Sequence, residues 1–326
     1  MKILSLPERD DHPYILEVDN TELETFSHMP RCYFWEHVMG LVPSAGRLDD
    51  MVETIKPSAP LVWGGAVHLW MEHYYGGDAP EEAFAKTIRE YGQRLEAIEI
   101  GGGHHTQGRL DLHIDQYLED PNVQERDKYY RCIATEQYVM RPIDGDVGHG
   151  GKIDLIMYDE RDNSVVIWDH KTSKKKVNSD YFMDWFNMSY QVTGYHWHGE
   201  HLTDLLKERG EIPDDSVFRG VMINALQTTK TIEYNHASSI FTRTDAQIKD
   251  FVRSAWILAH EILERKQKTI KLLESGDPPE NAWPYWPNFG ENFCKWKDLN
   301  TVTPEIRDQI LDACVFDPWW ERRRRK

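Results

Sequence analysis

The sequence predicts an α/β protein with a mixed sheet of about four or five strands flanked by helices. Three observations carry that reading. Segments with helical spacing come first, then three β-patterned segments, a helix, more strands and a last helix. The run Val165-Val166-Ile167-Trp168 is apolar without interruption, as in a central strand buried on both faces. A chain of 326 residues, 40% hydrophobic and 12% aromatic, is long and apolar enough for a sizeable core.

Residues 21–41 carry Phe26, Met29, Cys32, Tyr33, Val38 and Leu41 at helical spacing. Residues 44–60 read as a loop with two prolines. A helix is expected over 63–75, opening at Gly64-Gly65 and closing at Gly76-Gly77, and another over 81–98. Gly101-Gly102-Gly103 breaks the chain, and 108–118 is again helical. Alternation then marks strands over 129–140 and 151–158. A polar turn at 159–163 leads to a strand over 164–172. One long helix is expected over 181–206, strands over 218–226 and 231–234, and a long helix over 244–273. A Pro- and Trp-rich loop follows at 278–287, then a short helix over 304–313.

The formal net charge is −17, and the last five residues, Arg322 to Lys326, are all basic. The body is therefore strongly acidic, with a compact positive tail. Such a body argues against broad, nonspecific coating of nucleic acid, but it allows a local basic groove or a carboxylate site for metal. No apolar stretch approaches the roughly 18 residues of a membrane span. The opening MKILSLPERDDHPY is too short for a secretory signal. Four scattered cysteines do not form a disulfide framework. The expectation is a cytoplasmic protein.

The chemistry concentrates in residues 151–172. In a strand, residues two apart share a face, so Asp169 and Lys171 project together with His170 opposite. The short turn at 159–163 makes Asp154 and Asp169 neighbours across a hairpin. Two carboxylates and a lysine on one sheet face are costly to bury without partners. A divalent ion such as Mg²⁺ or Mn²⁺, which takes a few carboxylate oxygens, resolves that cost. From spacing alone, a solvated hairpin with an incidental salt bridge remains the alternative. Gln191 and Tyr195, four apart on the next helix, share a face.

Four short motifs stand in order: Gly65-Ala66-Val67-His68, Gly151-Lys152-Ile153-Asp154, Asp169-His170-Lys171-Thr172, and Gln191 through Tyr195. Together they resemble the RecB-like branch of the PD-(D/E)XK nuclease superfamily, whose pattern is an early His, G-x-x-D, D-x-K-T and Q-x-x-x-Y. The resemblance implies a restriction-endonuclease-like sheet with helical insertions, in a single nuclease domain over residues 1–326. Its parts would be 21–126 with the His motif, 127–236 as catalytic sheet and helix, and 237–326 as C-terminal helices and tail.

By the same resemblance, His68, Asp154, Asp169 and the backbone carbonyl of His170 would ligate one or two Mg²⁺ or Mn²⁺ ions. Lys171 would orient or deprotonate the attacking water and stabilise charge at the phosphate. Gln191 and Tyr195 would position DNA or the Lys171 region. Glu136 is a candidate support for Lys171 or for a second metal. The implied activity is metal-dependent DNA hydrolysis, exonucleolytic at DNA ends, in recombination, repair or phage replication. A single-strand or flap endonuclease, and a catalytically idle DNA-binding scaffold, are the alternatives. An acidic DNA mimic ranks last, since it would not need the ordered motifs.

Many relatives carry an iron–sulfur site built from one early and three late cysteines. Here only Cys294 and Cys314 follow Cys32 and Cys132, so the cluster is not expected and ordinary thiols are. No Cys–His spacing supports zinc at His104, His105, His196, His198 or His201. Lys174, Lys175 and Lys176 form either a solvated turn or a phosphate-binding edge. The basic tail is either a grip for DNA or a replication or recombination protein, or a solubilising end. Trp283, Tyr285, Trp286, Phe289 and Trp296 could stack bases or anchor a loop; core packing is the commoner role.

Overall fold

The computed structural model describes residues 14–39, 59–101, 103–228 and 234–284. The chain forms two compact units. One comprises residues 1–56, 141–150 and 252–326, and the other 57–140 and 151–251. The sheet is mixed and six-stranded, one or two strands more than expected.

The second unit holds the chemistry. Helices α3 (Ala59–Tyr75), α4 (Pro80–Ile100), α5 (Gln107–Glu119) and α6 (Pro121–Asp127) precede the strands. Pro80 and Pro121 sit at first-turn positions, where a missing N–H costs nothing. Thr106 and Asp120 cap α5 and α6 by accepting from Arg109 N and Asn122 N. Gly64-Gly65 lies inside α3 rather than at its start. A Cβ on Gly64 would come 3.1 Å from Thr172 Oγ1, so the glycine lets the helix approach that strand end. The inner faces of these helices bury Trp63, Trp70, Leu95, Leu110 and Tyr117.

The strands are β2 (Tyr130–Pro142), β3 (Val147–Asp159), β4 (Ser164–Ser173), β5 (Val217–Gln227) and β6 (His236–Phe241). β3 and β4 form the expected antiparallel hairpin, with Leu155 opposite Trp168. β5 runs parallel to β4, placing Asn224 beside His170. On β4 the pleat sends Val165 and Ile167 into one core, with Val192 and Tyr195, and sends Val166 and Trp168 into another. The apolar run is thus buried on both faces, as its composition implied.

The helix anticipated over 181–206 is broken into α7 (Asp180–Asp184), a 3-10 turn (Trp185–Met188) and α8 (Tyr190–Glu208). Ser189 takes an extended conformation and accepts from Val192 N, starting a new helix as N-cap. Arg243 accompanies the break by donating to Phe186 O and Thr193 Oγ1. β6 pairs antiparallel to β5 from Val221↔Phe241 to Leu226↔His236; of the strand anticipated over 231–234 only Tyr234 is described, and it precedes β6 outside any strand. Residues 231–233 lie outside the described residues.

In the first unit, a short strand, β1 (Leu16–Asp19), pairs in parallel with residues 147–150, and it carried too little pattern to be anticipated. Asp19 and Glu22 form a capping box on α1 (Asn20–His28). Then come α2 (Pro30–Tyr33), a π turn (Phe34–Val38) and α9 (Asp245–Ser275), of which residues 252–275 belong to this unit. Trp283 is buried, stacked on Tyr33 and Phe34, and donates to Thr269 Oγ1 at 2.8 Å, so it packs the core and offers no face to a base. Cys32 is buried in the core, and Cys132 is a free thiol. Tyr285, Trp286, Phe289, Trp296, Cys294, Cys314, the helix expected at 304–313 and the basic tail lie outside the described residues. No helix among the described residues is long and apolar enough to cross a membrane.

Candidate active site

The site lies where β3 and β4 meet α3 and α8. Asp154 follows from the hairpin register as the neighbour of Asp169, one step beyond Leu155↔Trp168. Its Oδ2 accepts the backbone N–H of His170 at 2.7 Å and lies 3.4 Å from Nδ1 of His68 on α3. Burial alone would push the Asp154 carboxyl up. His68 and the His170 peptide override it and hold the group well below the usual carboxylate range. His68 shows the converse. Burial would lower its pKa, but Asp154 and Asp169 raise it above its ordinary value.

Glu136 completes a group with these two. One ligand atom from each of His68, Glu136 and Asp154 lies within 4.8 Å of the others. Glu136 sits at φ 50°, in the left-handed region that a non-glycine strand residue rarely adopts. Strain of this kind persists where surrounding structure enforces it, often at functional sites. Burial, then Asp154 and Glu72, pushes the Glu136 carboxyl up, although Lys152 pairs with it and opposes the shift. Crowded, half-buried carboxylates beside an imidazole are a donor set that suits a small divalent cation such as Mn²⁺ or Mg²⁺.

Asp169 adjoins this group and pairs with Lys171. Its Oδ2 lies 2.7 Å from Lys171 Nζ. Burial raises the Asp169 pKa, and Lys171 only partly offsets this. Lys171 also donates to Gln191 Oε1 at 3.0 Å. Gln191 Nε2 donates to Tyr195 OH at 3.1 Å, and Tyr195 OH donates to Lys152 O at 2.7 Å. The residue before Lys152 must be small here. A Cβ on Gly151 would stand 3.3 Å from the Tyr195 ring. The spacing of the second and fourth motifs is therefore one packing arrangement.

His170 points its ring to the opposite face of β4. There its Nδ1 accepts from Asn224 Nδ2 at 2.9 Å, and burial pushes its pKa down to about 3. Asn224 Oδ1 accepts from Arg126 and His236, and Arg126 stacks 4.3 Å from the centroid of Trp168. Sequence reasoning missed this network. Its one local signal was an asparagine inside the apolar run of β5. Lys174, Lys175 and Lys176 are exposed on the turn after β4.

The sequence matches the PD-(D/E)XK nuclease superfamily over residues 20–278. The chain belongs to this superfamily. The match spans both strands of the β3–β4 hairpin and every candidate site residue. The protein is also similar to a solved structure described as a "Putative exonuclease" from Eubacterium rectale. The identity is 12%, with 92% of this chain and 95% of that chain covered, at a TM-score of 0.44. No curated protein sequence matches the chain. The mixed sheet flanked by helices is the PD-(D/E)XK architecture, and it supports a nuclease.

Proposed function

We propose that the protein is a metal-dependent deoxyribonuclease of the RecB-like branch, acting as an exonuclease on DNA ends. The observation that carries this is one juxtaposition: a His68–Glu136–Asp154 donor group beside an Asp169–Lys171 pair, with Asp154 and that pair on one hairpin. His68, Glu136 and Asp154 would hold the ion, with Asp169 and the His170 carbonyl as the further ligands implied by the motifs. A bound Mg²⁺ or Mn²⁺ would supply Lewis-acid polarisation of the phosphate and acidify water.

The chain's own residues do the rest. The Lys171 ammonium, held between Asp169 and Gln191, is aimed where negative charge grows on a phosphodiester. Gln191 and Tyr195 fix that aim and form the wall past which the strand would lie. Lys174, Lys175 and Lys176 offer phosphate contacts at the edge of the site. The exonuclease assignment rests on the RecB-like motif order.

The test is hydrolysis of end-labelled linear and covalently closed circular DNA, single- and double-stranded, with Mg²⁺, Mn²⁺ or EDTA. Metal-dependent loss of linear DNA alone, abolished by Lys171→Ala and Asp154→Ala, is the expected result. Cleavage of circles would make it an endonuclease with the same residues. DNA binding without hydrolysis under either metal would make it a scaffold.

A further inference from the structure

The excursion between Lys171 and Gln191 carries a surface that the catalytic reading does not use. Tyr181 is 73% exposed, Trp185 72% and Met188 89%. They share a side for a geometric reason. Tyr181 and Trp185 are four apart across α7, and Trp185 and Met188 are three apart in a 3-10 turn, where such positions eclipse. The opposite side is already filled. Phe182, Met183 and Phe186 pack on the sheet core, and Phe186 lies 5.8 Å from the Phe241 ring. The segment is therefore anchored through one set of large side chains while a second set stays in water. Exposing three adjacent large apolar side chains is costly enough to call for an occupant.

Both ends of the excursion are tied to the site. It leaves from the strand of Lys171, and it returns to Gln191, which accepts from Lys171 at 3.0 Å. Trp185 stands six residues before Gln191, a chain reach of at most about 20 Å. Lys174, Lys175 and Lys176 lie on the same excursion and are exposed. Two carboxylates are also present. Asp184 accepts from Asn187 at 3.3 Å, and Asp180 sits in the first turn of α7.

We infer that Tyr181, Trp185 and Met188 form a shelf on which unpaired bases of a single DNA strand stack as the strand is led to Lys171. This rests on the nuclease reading above and narrows its substrate to single-stranded or frayed ends. Exposed aromatic faces and exposed lysines on one chain segment match a single strand, which offers both π-faces and phosphates. A paired duplex hides its base faces except at the ends.

The test measures binding by fluorescence anisotropy, in the Lys171→Ala background with Mg²⁺. The probes are a labelled single strand of about 16 nucleotides and a blunt duplex of equal length. Trp185→Ala should weaken single-strand binding about tenfold or more, with a smaller loss for Tyr181→Ala, and leave duplex affinity within about twofold. Trp185→Phe should restore most of the affinity. Replacing Lys174, Lys175 and Lys176 by Ala should weaken both probes alike and flatten their salt dependence. Unchanged single-strand affinity in Trp185→Ala, or equal losses on both probes, overturns the shelf. So does a changed sedimentation coefficient with intact single-strand binding, which makes the patch a protein interface. Selective single-strand losses in a protein that hydrolyses no DNA would uphold the shelf and remove the nuclease reading.

Discussion

Lys171 and Gln191 are locked to each other in one orientation. An ammonium can only donate, so the Gln191 carbonyl must face it and the amide nitrogen must face Tyr195. Tyr195 then passes the direction on to the Lys152 carbonyl. Lys171→Ala should lower kcat by about 10²–10³-fold with the fold intact, the usual scale for removing one electrostatic group from a transition state. Gln191→Leu should lower kcat about tenfold or more, with KM little changed, because a hydrogen bond to a charged group is worth about 1.5–3 kcal/mol. A Gln191→Leu enzyme with normal kcat and raised KM would mean that Gln191 binds DNA and does not position Lys171.

The donor group at Glu136 predicts a metal effect that needs no catalysis. An ion that binds only the native state raises its stability by about 2.7 kcal/mol at a hundredfold excess over Kd. Mn²⁺ should therefore raise the Tm of the protein. Glu136→Gln and Asp154→Asn should each abolish most of that rise. A full Mn²⁺ shift in Glu136→Gln would exclude Glu136 as a ligand and return the site to His68, Asp154 and Asp169.

The raised pKa of His68 gives opposite pH trends with and without metal. A histidine whose folded pKa lies above its ordinary 6.5 adds stability that is complete below that value. The contribution is lost as pH rises through the folded pKa. Without metal, stability should fall from about pH 6 upward through this group. Metal must displace the His68 proton, so Mn²⁺ affinity should rise over the same interval. Calorimetric titration at pH 6 and 8 checks the second trend, and the number of protons released should exceed that of His68→Gln. Equal proton release in the two proteins would separate His68 from the ion.

The sequence carried the β3–β4 hairpin because its information is local. A turn of five polar residues sets the register, and the pleat then puts Asp169 and Lys171 together. Gln191 and Tyr195 were legible for the same reason, through one helical turn. Features that depend on distant partners were not. Glu136 stood in the sequence only as a candidate support, and no side-chain pattern announces the left-handed backbone angle it adopts. The break at Ser189 coincides with Arg243, more than fifty residues later. For Trp283 core packing was the commoner expectation, but its partners Tyr33 and Phe34, far earlier in the chain, were not legible.

Asn224 shows how much of the site rests on such distant pairing. Arg126 can only donate, so it fixes Oδ1 toward itself and turns Nδ2 toward His170 and Tyr117. All four hydrogen-bonding positions of this one amide are used, since His236 also reaches Oδ1 at 2.7 Å. The amide thus holds the His170 ring on one face of β4, while the His170 N–H holds Asp154 on the other. Asn224→Leu would leave several buried polar groups without a partner at once. Urea unfolding should show a loss of about 3 kcal/mol or more, beyond the scale of a single hydrogen bond. At temperatures where the variant stays folded, kcat should still fall, because the peptide that seats Asp154 has lost its anchor. A loss under about 1 kcal/mol with unchanged kcat would mean that Trp168 and the sheet ladder alone hold β4 in register.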